Sequence, residues 1–192
     1  MSSLSIQSSV PSPKSFKAYS YKITLKLPGS LDQVWAILNS RATFSKGQIF
    51  PYRVEFLGGS SPVLFDEGEY TNHHGPFLHL PGLISKMEPK KYRELSYFYG
   101  SYVLGFRLIR PTVLNMDFKA LSDTKTQVVI TLESNAHRFI LWLWKLGLHS
   151  FWPSFSLGLW LRVWLKSKVF TFYTNSLSKS SKICANVWLR MR

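Results

Sequence analysis

The chain is poor in acid, nearly free of cysteine and short of long apolar runs. Its single cysteine, Cys184, leaves no partner for an intramolecular disulfide and no cysteine-only metal site. That agrees with a reducing, cytoplasmic setting. Only ten Asp and Glu stand against 24 Lys and Arg, and all ten lie between Asp32 and Glu133. The longest stretch near the C-terminus without Lys, Arg, Asp or Glu is Leu146 to Leu161, sixteen residues interrupted by His149 and Pro153. A spanning helix needs about twenty apolar residues, so a membrane crossing is not expected. Residues 1–18 are Ser-rich, free of acid and without the continuous apolar core of a secretion signal, and read as a disordered tail. No Gly-x-Ser-x-Gly elbow, His-Glu-x-x-His pair or phosphate loop occurs, so no familiar catalytic or cofactor motif is present.

What is there begins with Tyr21 to Leu38. Tyr21, Ile23, Leu25 and Leu27 alternate with Lys22, Thr24 and Lys26, the period of a half-buried strand. Pro28-Gly29 ends it. Ser30 and Gln33 have capping-box spacing, and Leu31, Val34, Trp35 and Leu38 form a helical stripe. Arg41 to Gly47 adds a helical turn. A strand-rich region follows, with strands predicted near 52–56, 67–71, 82–87, 92–99, 102–109, 112–121 and 126–133. Ser122-Asp123-Thr124-Lys125 makes the clearest hairpin turn. From Ala136 the period changes to helical. The pattern predicts a short helix, a break at Ser150 to Pro153, then a long helix from about Phe155 to Leu177. Residues 179–192 read as a basic tail.

The ordered set resembles the START-like (SRPBCC) helix-grip superfamily, which includes polyketide cyclases, birch-pollen-allergen-like proteins and lipid-transfer domains. The resemblance covers residues 19–178. It rests on the opening strand with Leu31-Asp32-Gln33-Val34-Trp35, on Ile84-Ser85-Lys86-Met87-Glu88-Pro89, on Lys125-Thr126-Gln127-Val128-Val129-Ile130, and on the position of the last helix. Lys125-Thr126 stands where the family often has a Gly-Thr pair. The resemblance implies an α+β fold in which about six or seven antiparallel strands curl around the C-terminal helix, with an apolar cavity between them. It implies binding or transport of a hydrophobic small molecule or lipid. A cyclase- or dehydratase-type enzyme on the same fold is the alternative, because one fold hosts both.

Within that frame, Tyr97, Tyr99, Arg107 and Asn115 on the middle strands, and Trp160, Val163 and Trp164 on the last helix, are candidate ligand contacts. A cross-strand aromatic ladder is the plainer reading of the tyrosines. Asp66, Glu67 and Glu69 form the one acidic cluster. Glu67 and Glu69 should share a strand face, either as paired carboxylates or as a solvated edge. His73 and His74, adjacent on a strand, should point to opposite faces, so a shared metal ion is not expected.

The last 59 residues carry nine Lys and Arg, no acid and six of the seven tryptophans. Trp and Leu mixed with cations favours an anionic membrane surface over nucleic acid. Trp142, Trp144, Lys145, Trp152 and Arg162 are the candidate membrane contacts, with Lys166 and Lys168 beyond them. Burial within the domain, or in a dimer interface, is the competing account of the tryptophans. Nothing in the sequence decides the oligomeric state.

Overall fold

The computed structural model describes residues 13–45, 52–59, 63–154 and 156–165. The remaining parts of the predicted tails, and the helix predicted beyond residue 165 with Lys166 and Lys168, lie outside these residues.

The opening alternation folds as β1 (Phe16–Pro28), with Tyr21, Leu25 and Leu27 buried and the lysines outward. Gly29 takes φ +145°, and its N–H donates to the Thr124 carbonyl. The capping box at α1 (Leu31–Leu38) is complete: the Gln33 N–H donates to Ser30 Oγ at 3.3 Å and the Ser30 N–H to Gln33 Oε1 at 3.1 Å. Val34, Trp35, Ile37 and Leu38 turn inward. A short α2 (Arg41–Ser45) follows.

Strands β2 (Arg53–Leu57), β3 (Tyr70–Gly75), β4 (Leu78–Glu88), β5 (Tyr92–Tyr97), β6 (Tyr102–Val103), β7 (Ile109–Ser122) and β8 (Lys125–His137) complete an eight-stranded antiparallel sheet. Its order is β1-β8-β7-β5-β4-β3-β2, and the two-residue β6 bridges β4 and β7. Residues 141–154 and 156–165 are helical, and this long C-terminal helix packs Leu148, Trp152, Leu159 and Val163 into the core beside Tyr21, Leu114, Ile130 and Leu132.

Five elements differ from the sequence expectation: β1 begins at Phe16, inside the predicted tail, and β4 at Leu78 instead of 82, and three more follow. The third strand starts at Tyr70, not at 67, because Glu67-Gly68 make a turn with Gly68 at φ +86°. The strand predicted over 102–109 stops at Val103, since Leu104, Phe106 and Arg107 take φ of +64°, +62° and +55°. The break predicted at 150–153 does not form. Leu148 and Trp152, one turn apart, are both buried, which holds that turn helical although Pro153 withholds an N–H.

Candidate ligand-binding site

The inner face of the sheet is largely apolar, and a few polar side chains interrupt it. On β5 the alternation places Arg93, Leu95 and Tyr97 inward. On β3 it places Thr71 inward with His73, while His74 points out and lies 3.3 Å from Glu55. Thr71, Gly82 and Tyr97 lie side by side across β3, β4 and β5. Gly82 is needed there: a Cβ would come within 2.9 Å of the Ser96 carbonyl oxygen.

Arg93 is the unusual member, a buried guanidinium with 6% exposure. Its Nη1 donates to the Leu38 carbonyl at 2.9 Å and to Asn39 Oδ1 at 3.0 Å, at the C-terminal end of α1, where a cation is favoured. Nη2 reaches Met116 Sδ at 3.1 Å, and the rings of Phe65 and Phe44 lie 5.1 and 5.8 Å away. Among the described residues no carboxylate hydrogen-bonds to it. Burial lowers its pKa to about 10. Burial, then the nearby charge of Arg93 and then His74, holds His73 at about 4, so its imidazole is neutral at pH 7. Burial pushes the Tyr97 hydroxyl well above the usual phenol range, against the opposing pull of Arg93. The Thr71 hydroxyl is buried without a described partner.

The acidic cluster divides. Glu69 is fully buried, 2.9 Å from Arg41 Nη2, and its Oε2 accepts from the Asp66 N–H at 3.0 Å. Glu67 instead accepts from the Met87 N–H at the surface. The two carboxylates therefore do not share a strand face, because the Gly68 turn separates them.

Of the ligand contacts expected from sequence, Tyr97 and Val163 are buried on the inner side. Tyr99 lies in the turn after β5 and is exposed, with Arg110 over its ring at 5.9 Å. Arg107 is exposed in the 3-10 turn Gly105–Arg107. Asn115 faces outward, since Leu114 and Met116 take the inward phase of β7; it accepts from the Tyr92 hydroxyl at 3.0 Å. Trp160 and Trp164 stack at 6.3 Å on the outer side of the helix. Arg93 and Thr71 were missed, although Arg93 is in phase with Leu95 and Tyr97 in the sequence.

The membrane contacts expected from sequence also divide. Trp142 is exposed. Trp152 is buried, and Trp144 packs against the core with its indole N–H donating to Ser134 Oγ at 2.8 Å. Lys145 sits over the Tyr19 ring, and Arg162 donates to the Thr43 carbonyl at 2.7 Å. The helix positions 142, 146, 157, 160, 161 and 164 nevertheless form an apolar stripe opposite the buried one, all exposed. Among the described residues no helix is long and apolar enough to cross a membrane.

A curved antiparallel sheet closed on one long C-terminal helix, with short helices after β1, is also the architecture of norcoclaurine synthase from Thalictrum flavum. That structure superposes with a TM-score of 0.55 at 12% identity, covering 80% of this chain and 98% of that one. The chain has the START-like helix-grip fold. A protein from Arthrobacter aurescens (TM-score 0.55, 12% identity, 75% of this chain and 85% of that one) and one from Chromobacterium violaceum (0.51, 11%, 75% and 96%) superpose as well. No protein-family model matches the sequence, and no curated protein matches it. In this helix grip, Thr71, His73, Arg93 and Tyr97 group on β3 and β5, while β8 adds the buried Thr126 and Ser134, whose hydroxyls donate to the Gly29 and Tyr19 carbonyls.

Proposed function

We propose that the protein binds a hydrophobic small molecule or lipid between the curved sheet and the C-terminal helix, and does so at a membrane surface. The observation that carries this reading is the inner face itself. It is largely apolar: the buried Thr126 and Ser134 of β8 spend their hydroxyls on the Gly29 and Tyr19 carbonyls, and Thr71, His73, Arg93 and Tyr97 group on β3 and β5, the composition of a site that holds an apolar body and orients one polar end. One fold relative, norcoclaurine synthase from Thalictrum flavum, was solved in complex with dopamine and hydroxybenzaldehyde, small aromatic molecules. The exposed apolar stripe of the helix supports the membrane part.

A cyclase or dehydratase asks for an acid and a base within reach of one another. Among the described residues no hydrogen bond joins His73, Arg93 and Tyr97, and Glu69 is committed to Arg41. Binding without chemistry is the better supported reading.

Native mass spectrometry of the purified protein should show a co-purifying apolar guest. Thr71→Phe, which sets a large ring on the inner face in line with Gly82 and Tyr97, should displace it while circular dichroism shows the fold retained. A wild-type protein that carries no guest and takes up no environment-sensitive apolar dye removes the proposal.

A further inference from the structure

The two ends of the sheet differ in where their acids lie and in surface chemistry. Glu88 and Asp32, paired with Lys86, Lys91 and Lys90, and Asp123 beside Lys125 lie at the end that holds the β4–β5 and β7–β8 turns. The other end gathers the start of β1, the β3–β4 turn, the connection from β5 to β7, the end of β8 and the entry into the C-terminal helix. Segments 13–17, 75–78, 98–112 and 136–145 there contain six Lys and Arg and no acid.

This basic end also projects aromatic rings into solvent. Phe106 is 97% exposed, and Phe77 on the adjoining turn is 61% exposed. The backbone holds Phe106 there. Leu104, Phe106 and Arg107 all take the left-handed φ that side chains disfavour. The loop is pinned on both sides of them, by the Leu104 N–H on the Phe77 carbonyl and the His137 N–H on the Leu108 carbonyl. The Phe106 ring itself is left in water by a strained backbone, and such strain concentrates at functional sites. The aromatic character continues sideways. Arg110 lies 4.6 Å over Phe16, which meets His137 edge-on, and His137 meets Phe139 beside the exposed Trp142.

We propose that this end of the sheet docks on an anionic phospholipid bilayer, with Phe106 and Phe77 entering the headgroup layer and Arg107 and Arg110 meeting phosphates. The charge identifies the occupant: cations without acids complement an anionic surface, and apolar rings at their centre suit an interface with an apolar interior. The inference rests on the reading that the protein works at a membrane, and names the surface through which it does so.

Co-sedimentation of the full chain with phosphatidylcholine vesicles, with and without phosphatidylserine, tests it. Binding should require phosphatidylserine and weaken as salt rises. Phe106→Ser should lower partitioning about tenfold and Arg107→Gln about fivefold, with thermal unfolding unchanged because both side chains are exposed. Phe106→Trp should retain binding. Binding unaltered by Phe106→Ser and Phe77→Ser but lost in Leu157→Ser would assign docking to the helix stripe and overturn this inference alone. No binding of the wild type to either vesicle would remove the membrane part of the proposed function as well. Self-association abolished by Phe106→Ser would make the occupant a second copy, and would also overturn it.

Discussion

His73 makes a pH experiment quantitative. Its imidazole is pulled from the ordinary 6.5 to about 4, first by burial, then by the Arg93 charge and then by His74. The unfolded chain therefore takes up a proton that the folded one refuses. Because the folded value is the lower, the stability contributed by the neutral ring is fully present above the ordinary value and is lost as pH falls from about 6.5 towards about 4. At about 1.4 kcal/mol for each pH unit, lowering the pH from 7 to 5 should remove about 2 kcal/mol. The comparison is with His73→Leu, which keeps every other titratable group, so that only the contribution of His73 differs and the variant's own stability at pH 7 does not matter. Urea unfolding at pH 7 and pH 5 should show the wild type losing about 2 kcal/mol more than the variant between the two. The same pH dependence in both proteins, or a steeper one in the variant, refutes the reasoning.

Two further outcomes are expected. Arg41→Met strands the buried Glu69 carboxylate and should cost about 3 kcal/mol in chemical denaturation, while the double variant with Glu69→Met should recover most of it, since removing both charges leaves none unpaired. Gly82→Ala forces a methyl against the Ser96 carbonyl oxygen and should cost about 2 kcal/mol, read as a lowered denaturation midpoint with an unchanged slope.

The regular parts of the fold were legible because local signals agreed with tertiary packing. Ser30 and Gln33 make both capping bonds, the hairpin turns at Ser122 to Lys125, and β1 buries the residues its alternation names. The site was legible only in part. Tyr97 was found as a strand residue facing inward, but Tyr99, two residues on, leaves the strand at a turn ending in Gly100 with φ +109°. Arg107 depends on positive φ at residues that rarely adopt it, a conformation set by the anchors around the loop and not by the residues themselves. Asn115 needed its phase read against Leu114 and Met116. Glu69 looked like a surface acid because its partner, Arg41, comes from a distant segment. Ser150 to Pro153 carries a helix-breaking signal that core packing of Trp152 overrides.

The pairing of β1 carries a consequence for folding kinetics. Its strand partner is β8, with Phe16 opposite His137 and Pro28 opposite Lys125, about a hundred residues later in the chain. During synthesis β1 leaves the ribosome long before the β8 strand it pairs with, and closing that contact costs the largest loop entropy in the sheet. Contacts of such separation slow folding and keep an unpaired edge exposed meanwhile. Even in the finished sheet β1 remains a terminal strand. Exposed Lys17, Lys22 and Lys26 along it set positive charge against any second chain that would add to that edge, both while β1 waits and afterwards.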